Sequence, residues 1–223
     1  MRIAALYDIH GNLPALEAVL AELHDEGTSG SVDRILVGGD IVPGPMWGAV
    51  LERLLSLNLP VDFIQGNCEV AVLDEIAGRP VPLPEQAREV IRWTAQNVTP
   101  EQQRLFEQWP KTLRLSVTGI GDVLFCHGTP RHENEIFLRT TAEERLLPLF
   151  EPLNVALIVC GHTHMQFDRV VGKTRVVNAG SVGMPFAPPG AYWLLLGPEV
   201  ELRHTHYDLQ AAAAQIHSSD RFG

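Results

Sequence analysis

Cysteine is scarce in this chain, positive charge is in deficit, and no long apolar run occurs. Three cysteines, Cys68, Cys126 and Cys160, are too few and too odd in number for a disulfide framework. Cys126 and Cys160 end apolar strand-like runs, where a buried free thiol is the ordinary reading, so a reducing interior is expected. No stretch reaches the roughly 18 apolar residues that a membrane-spanning helix needs. The opening Met-Arg-Ile-Ala-Ala-Leu-Tyr-Asp turns polar too soon for a secretory leader. A cytoplasmic protein with no membrane partner is the expectation. The 17 lysines and arginines are outnumbered by 27 aspartates and glutamates, giving a net charge of −10. That balance argues against a broad nucleic-acid-binding face. It leaves a phosphorylated substrate open, because bound divalent ions reverse the sign locally.

What remains is an ordinary globular composition. With 223 residues, 45% hydrophobic and 20% charged, the chain fits a single domain, 1–223, with a sizeable core. Residues 2–7 read as a buried strand and 8–12 as a loop. From Leu13 to Glu26, apolar residues fall at helical spacing (Leu13, Leu16, Val19, Leu20, Leu23), and Gly27 ends the run. A second strand covers 34–37, a helix 46–57 and a third strand 61–64. Strands and helices alternating at these lengths predict parallel β-α-β units, in which ligands collect at the carboxyl ends of strands.

The middle changes character. Residues 78–84 hold three prolines, and 84–109 read as two helices parted by Asn97-Val98-Thr99-Pro100, with Thr99 as N-cap and Pro100 at the first helical position. Residues 78–110 are therefore read as a helical insert or lid. They are the candidate determinant of substrate choice or of a homo-oligomer, and the sequence does not say which. β character returns over 112–118, 122–126, 155–160, 167–171, 174–178, 191–196 and 199–206, with a hairpin turn at Gly172-Lys173. A last helix is expected over 208–217.

Polar groups follow the apolar runs one after another: Asp8-Ile-His10, Gly39-Asp40, Gly66-Asn67, Cys126-His127 and Gly161-His-Thr-His164. The candidate ligands are Asp8, His10, Asp40, Asn67, His127, His162 and His164. Hard oxygen and imidazole donors delivered from successive strand ends are what a divalent transition-metal centre needs. Seven donors suit two ions better than one, and a carboxylate such as Asp40 can bridge them. Two ions roughly 3.5–4 Å apart can hold and acidify a water and neutralise a phosphoryl group, which favours in-line displacement at phosphorus.

In order and from end to end, Asp8-x-His10, Gly39-Asp40, Gly66-Asn67-x-Glu69, His127 and Gly161-His-x-His164 resemble the five blocks of the calcineurin-like metallophosphoesterases. The stretches Tyr7-Asp-Ile-His-Gly-Asn-Leu-Pro-Ala-Leu-Glu-Ala and Val177-Asn-Ala-Gly-Ser-Val-Gly are similar to the small prokaryotic phosphoesterases of that superfamily. The likeness runs nearly the whole chain, to Tyr207-Asp208. It implies an α/β fold, a two-layer β-sandwich flanked by helices. It implies a first metal site of Asp8, His10, Asp40 and His164 and a second of Asp40, Asn67, His127 and His162. The reaction implied is hydrolysis of phosphate esters, phosphodiesters foremost, by a metal-bridging water or hydroxide with no covalent enzyme intermediate. Mn²⁺ is the expected metal, with Fe, Ni or Zn as alternatives. Asp40, Cys68 and His127 are the expected catalytic residues. A protein or small-molecule phosphomonoesterase is the close alternative, and a non-catalytic scaffold on the same fold is the alternative of another class. Cys68 is a departure, since the family's usual block has histidine there as a proton donor to the leaving group. A thiol is a weak donor, which points to substrates with good leaving groups or to larger and diester substrates.

The remaining polar residues carry weaker expectations. Arg131 and His132 follow the His127 loop and could clamp a substrate phosphate. Asn12 either orients a ligand or caps the helix at Leu13. Asn178 and Ser181 match the family's late block without an assigned role. His204-Thr-His206 repeats the His-x-His spacing but has no carboxylate near it, so a solvated strand face is expected, and His24 and His217 are expected on helix surfaces.

Overall fold

The computed structural model describes residues 1–24 and 32–219. In chain order the first half runs β1 (Ile3–Leu6), α1 (Leu13–His24), β2 (Arg34–Val37), α2 (Trp47–Leu55), β3 (Val61–Phe63), α3 (Asn67–Ile76), α4 (Glu85–Asn97) and α5 (Pro100–Gln108). The second half runs β4 (Thr112–Val117), β5 (Gly121–Cys126), α6 (Glu143–Phe150), a 3₁₀ turn (Glu151–Leu153), β6 (Leu157–Cys160), β7 (Phe167–Val171), β8 (Thr174–Asn178), β9 (Ala191–Leu196), β10 (Val200–Thr205) and α7 (Leu209–Ser218). The expected end of the first helix at Glu26 and Gly27 lies outside the described residues. Helices α3 and α6 were not expected from the sequence.

The strands form two five-stranded mixed sheets. One has the order β10-β9-β1-β2-β3 and the other β4-β5-β6-β8-β7. In the first, β1, β2 and β3 are parallel, with Ile3 opposite Arg34 and Ile35 opposite Val61. In the second, β5, β6 and β8 are parallel. Strand alternation explains how the sheets meet. Ile3 and Ala5 of β1, Val123 and Phe125 of β5, and Leu157 and Val159 of β6 point into one apolar cluster between the sheets. The intervening Ala4 and Leu6 turn outward beneath α1 and α2, against Leu16, Val19, Val50 and Leu54. On the far side, Leu124, Ile158 and Cys160 pack under Leu146 and Phe150 of α6. Central strands buried on both faces must be apolar throughout, which is why β1 and β6 read as unbroken hydrophobic runs. The architecture is the expected sandwich with helices on both outer faces. All three cysteines are free, with Cys126 and Cys160 buried. No described helix is long and apolar enough to cross a membrane.

Within 78–110, α4 and α5 are the two helices expected over 84–109, and 78–84 is non-helical. Thr99 caps α5 through a capping box with Gln102. Ile91, Phe106 and Trp109 enter the same apolar cluster as α1 and α2, so α4 and α5 are packed parts of the helical layer. Residues 80–83 line a groove with Asn67 at one end. The carboxyl ends of β1, β2, β3, β5 and β6 therefore deliver their loops to one edge of the sandwich.

Candidate metal centre

The chain is forced into a rare conformation at this edge. Among the described residues, six non-glycine positions have a positive φ, and five of them are candidate ligands: Asp8 (53°), His10 (46°), Asp40 (56°), His162 (67°) and His164 (56°). Such residues cost free energy and persist only where surrounding contacts over-determine them, which is a signature of functional sites. The tight turns leave no room beside the carboxylates. A Cβ on Gly66 would lie 2.0 Å from Asp40 Oδ1, and one on Gly161 would lie 2.5 Å from Asp8 Oδ2.

The turns bring the donors together. Asp8 Oδ1 faces His164 Nε2 at 3.3 Å, His127 Nε2 at 3.7 Å and His10 Nε2 at 3.9 Å. Asp40 Oδ2 lies 3.5 Å from His127 Nε2 and 3.8 Å from His10 Nε2. His10 and His164 place their Nε2 atoms 3.1 Å apart, and Asn67 Oδ1 is 2.9 Å from His127 Nε2. Three overlapping sets have donor atoms mutually within 4.8 Å: Asp8, His10 and His164; His10, Asp40 and Cys68; Asp8, Asp40 and His127. His162 stands beside His127, their ring centroids 5.2 Å apart.

The surroundings fit a cation. Asp8 Oδ1 and His162 Nε2 are buried with no hydrogen-bond partner, which in a folded protein calls for an ion or a water. The opposite ring nitrogens of His127 and His164 donate to backbone carbonyls, Nδ1 to Gly38 O at 2.8 Å and Nδ1 to Met184 O at 2.7 Å. Those bonds engage each Nδ1–H and turn each Nε2 inward, the orientation that metal-ligating histidines require once any Nε2 proton is displaced. Carboxylates, a carboxamide oxygen and imidazoles together suit divalent transition ions.

The electrostatics agree. Burial alone would lower the His127 pKa, but the Asp40 and Asp8 carboxylates hold it at about 10. His164 is also raised, burial being outweighed by Asp8. Burial, with a contribution from neighbouring histidines, lowers His10 and His162. Burial would raise Asp40, yet His127 beside it carries the carboxyl below its ordinary range. This cluster keeps protons where positive charge is wanted.

Other expected residues divide. Cys68 lies among the donors: its Sγ donates to Asp40 Oδ2 at 3.0 Å and its backbone N–H to Asp40 Oδ1 at 2.9 Å. Burial first and Asp40 second push its thiol pKa up, so it stays protonated. Asn12 caps α1: its Oδ1 accepts from Ala15 N, while its Nδ2 donates to Gly183 O and Tyr207 OH and so ties down a loop. Arg131 pairs with Glu135 and lines a separate depression with Phe137 and Leu146. His132 shares the groove with Asn67. Asn178 Nδ2 donates to Gly161 O, and Ser181 Oγ donates to Asp8 O at 2.7 Å while accepting from Met184 N, so both hold ligand-bearing turns. His204 stacks on Tyr192 and approaches His206, and neither joins a donor cluster among the described residues. His24 and His217 are exposed.

Glu69 was given no role in the sequence reading. It is fully buried on the first turn of α3 and accepts four backbone N–H groups: Gly66 and Asp40 at 2.8 Å, Ile41 at 2.9 Å and Val42 at 3.3 Å. Burial and the nearby Asp40 raise its pKa to about 7. The carboxylate clamps the Asp40 turn to the Asn67 turn. Its place three residues after Gly66 was the available signal.

Residues 1–197 match the calcineurin-like phosphoesterase superfamily domain. The chain belongs to that superfamily. An uncharacterized protein of Methanocaldococcus jannaschii is 28% identical over 202 residues, 82% of this chain and 76% of that protein. A solved metallophosphoesterase from Sphaerobacter thermophilus is 26% identical, with a TM-score of 0.71 over 98% of this chain and 94% of its own. A hypothetical protein of Pyrococcus horikoshii is similar in fold, with a TM-score of 0.81 at 20% identity, over 99% of this chain and 94% of its own. Both solved structures are similar in fold to the two-sheet α/β architecture described above.

Proposed function

We propose that the chain is a dinuclear, metal-dependent phosphoesterase acting on phosphodiesters in preference to monoesters. The observation that carries this reading is the convergence of five left-handed donor residues around a buried carboxylate oxygen that lacks any hydrogen-bond donor. Asp8, His10, Asp40 and His164 would hold one ion, and Asp40, Asn67, His127 and His162 the other, with Mn²⁺ foremost and Fe, Ni or Zn as alternatives. Two such ions supply Lewis acidity toward a phosphoryl group and a water acidified towards neutral pH.

The residues themselves set position and proton supply. Glu69 fixes the Asp40 and Asn67 turns relative to each other, and Ser181 and Asn178 fix the Asp8 and Gly161 turns. The Cys68 proton is directed at Asp40 and not outward, and a thiol is a weak donor in any case. A substrate whose leaving group needs strong protonation is therefore poorly served. A diester has the single negative charge and the larger bulk that suit such a site.

The test is metal analysis of the purified protein with hydrolysis of a chromogenic phosphodiester and the matching monoester in added Mn²⁺. About two ions per chain and faster diester turnover are expected. Replacing Cys68 with histidine should shift the preference towards the monoester. Fewer than about one ion per chain, with neither ester cleaved, overturns the reading in favour of a non-catalytic scaffold.

A further inference from the structure

Two rigid apolar surfaces border the donor cluster, each at a different candidate ligand. The first is a groove of about 320 Å³ that starts at Asn67. Val70 and Ala71 of α3 form one wall, Val81 and Leu83 the other, and His132 and the buried Glu133 also line it. Prolines at 80, 82 and 84 limit the backbone freedom of the second wall. The second surface lies at His164. Phe186 is 63% and Met184 48% exposed, yet their loop is pinned. Phe186 N–H donates to His164 O at 3.1 Å, Met184 N–H to Ser181 Oγ at 2.7 Å, and Met184 O accepts from His164 Nδ1. Three more prolines, Pro185, Pro188 and Pro189, stiffen the loop. The Phe186 ring lies 5.2 Å from the His164 ring, centroid to centroid.

Single exposed apolar side chains are common and need no explanation. An aromatic ring held in water by a pinned loop, against a residue of the donor cluster, is different, because its ordering is already achieved before any ligand arrives. Charge narrows the ligand further. No lysine or arginine lines the groove itself, and its carboxylates Asp74 and Glu133 are paired with Arg79 and Lys111 beside it, so the lining is close to neutral. An anionic arm, such as a second phosphate, would have to compete with Asp74 and Glu133 for those two cations, whereas a neutral arm meets no such competition.

We propose that the substrate is a phosphodiester with a neutral aromatic or apolar group on both ester arms. The leaving arm lies in the groove beyond Asn67, and the retained arm rests on Met184 and Phe186. This rests on the phosphoesterase reading and specifies its substrate class.

The test compares two diesters on the Mn²⁺-loaded protein: bis(p-nitrophenyl) phosphate, with two aromatic arms, and methyl p-nitrophenyl phosphate, with one. Phe186→Ala should lower the ratio of kcat/KM for the first over the second by roughly tenfold, chiefly through KM. Ala71→Phe, which fills the groove, should lower kcat/KM for both diesters by a similar factor and keep their ratio. Metal content, measured alongside, should match the parent in both variants. An unchanged ratio in Phe186→Ala, or unchanged rates in Ala71→Phe, overturns the two-arm assignment and leaves the phosphoesterase reading standing. Failure of the metal-loaded parent to cleave either diester instead sinks that reading, and the arm assignment with it.

Discussion

The donors around Asp8 and those around Asn67 reach the same edge by different means. Asp8, His10 and His164 all sit in left-handed backbone, and Asp8 Oδ1 has no donor of its own. Asn67 opens a regular helix and His127 directly follows β5, and their polar atoms meet at 2.9 Å. One group is shaped by main-chain turns locked under Ser181 and Met184. The other is shaped by side-chain hydrogen bonds around Glu69 and Asp40. Locked turns keep their form with or without a cation, whereas hydrogen bonds between two donors compete with one. The backbone of the Asp8 group is thus the more preorganised half, with only the His10–His164 contact at 3.1 Å to part, whereas in the Asn67 group Asn67 and His127 satisfy each other at 2.9 Å.

The largest blow to this comparison is a change that both halves feel. Asp40→Asn should cut turnover about 1000-fold or more, because several kcal/mol of charge stabilisation go with the shared carboxylate. It should weaken both ions, as read by metal analysis after dialysis. A variant that keeps two ions and near-parental rate would remove Asp40 from between the sites. Next in size are the single-site changes. His164→Ala should weaken the tighter of two binding phases in a metal titration, and His162→Ala the weaker, each by roughly 100-fold or more. Equal loss of both phases in either variant would show one cooperative site and end the comparison.

The smallest effect is on protons. His127 has a pKa of about 10 against an ordinary 6.5, so at neutral pH the metal-free protein carries a proton that an ion must displace. Calorimetry in buffers of different ionisation enthalpy should show proton release of up to about one per chain on loading, with affinity rising as pH rises. The sign for stability is the reverse. A raised pKa means that the metal-free fold favours the protonated imidazole, so this contribution is full below about pH 6.5 and fades as pH climbs through about 10. Metal-free unfolding curves that stay flat over that window would contradict it.

What the sequence revealed was local. Donors follow strands within one to four residues, so their identities and order could be read from apolar runs and the polar residues after them. Thr99 with Gln102, and Asp208 before α7, were legible because a cap is a contact across three residues. What escaped depends on distant partners. Glu69 matters because residues 40–42 fold back onto it, and its place three residues after Gly66 signals only the local cap, not that distant contact. Arg131 reads as a phosphate clamp with no sign of its pair with Glu135, one helical turn's distance along the chain. Asn12 could be read as a cap, but its bond to Gly183, far along the chain, could not. The left-handed turns were also hidden, since aspartate and histidine occupy positions where glycine would have signalled them. Helix α3 was missed because its first turn doubles as the Asn67 loop and its buried residues are only Glu69 and Val72.

The five left-handed donors also bear on how far this protein can be made tolerant of heat. At about 1 kcal/mol or more each, they load one edge with a penalty comparable to a sizeable share of a domain's whole stability. Substituting glycine at His10 or His162 would relax that edge, and selection for heat resistance in metal-free conditions would drift toward such changes. The same drift would dismantle the donor set. An engineer seeking a hardier form should therefore leave this edge strained and seek gains in the helical layers.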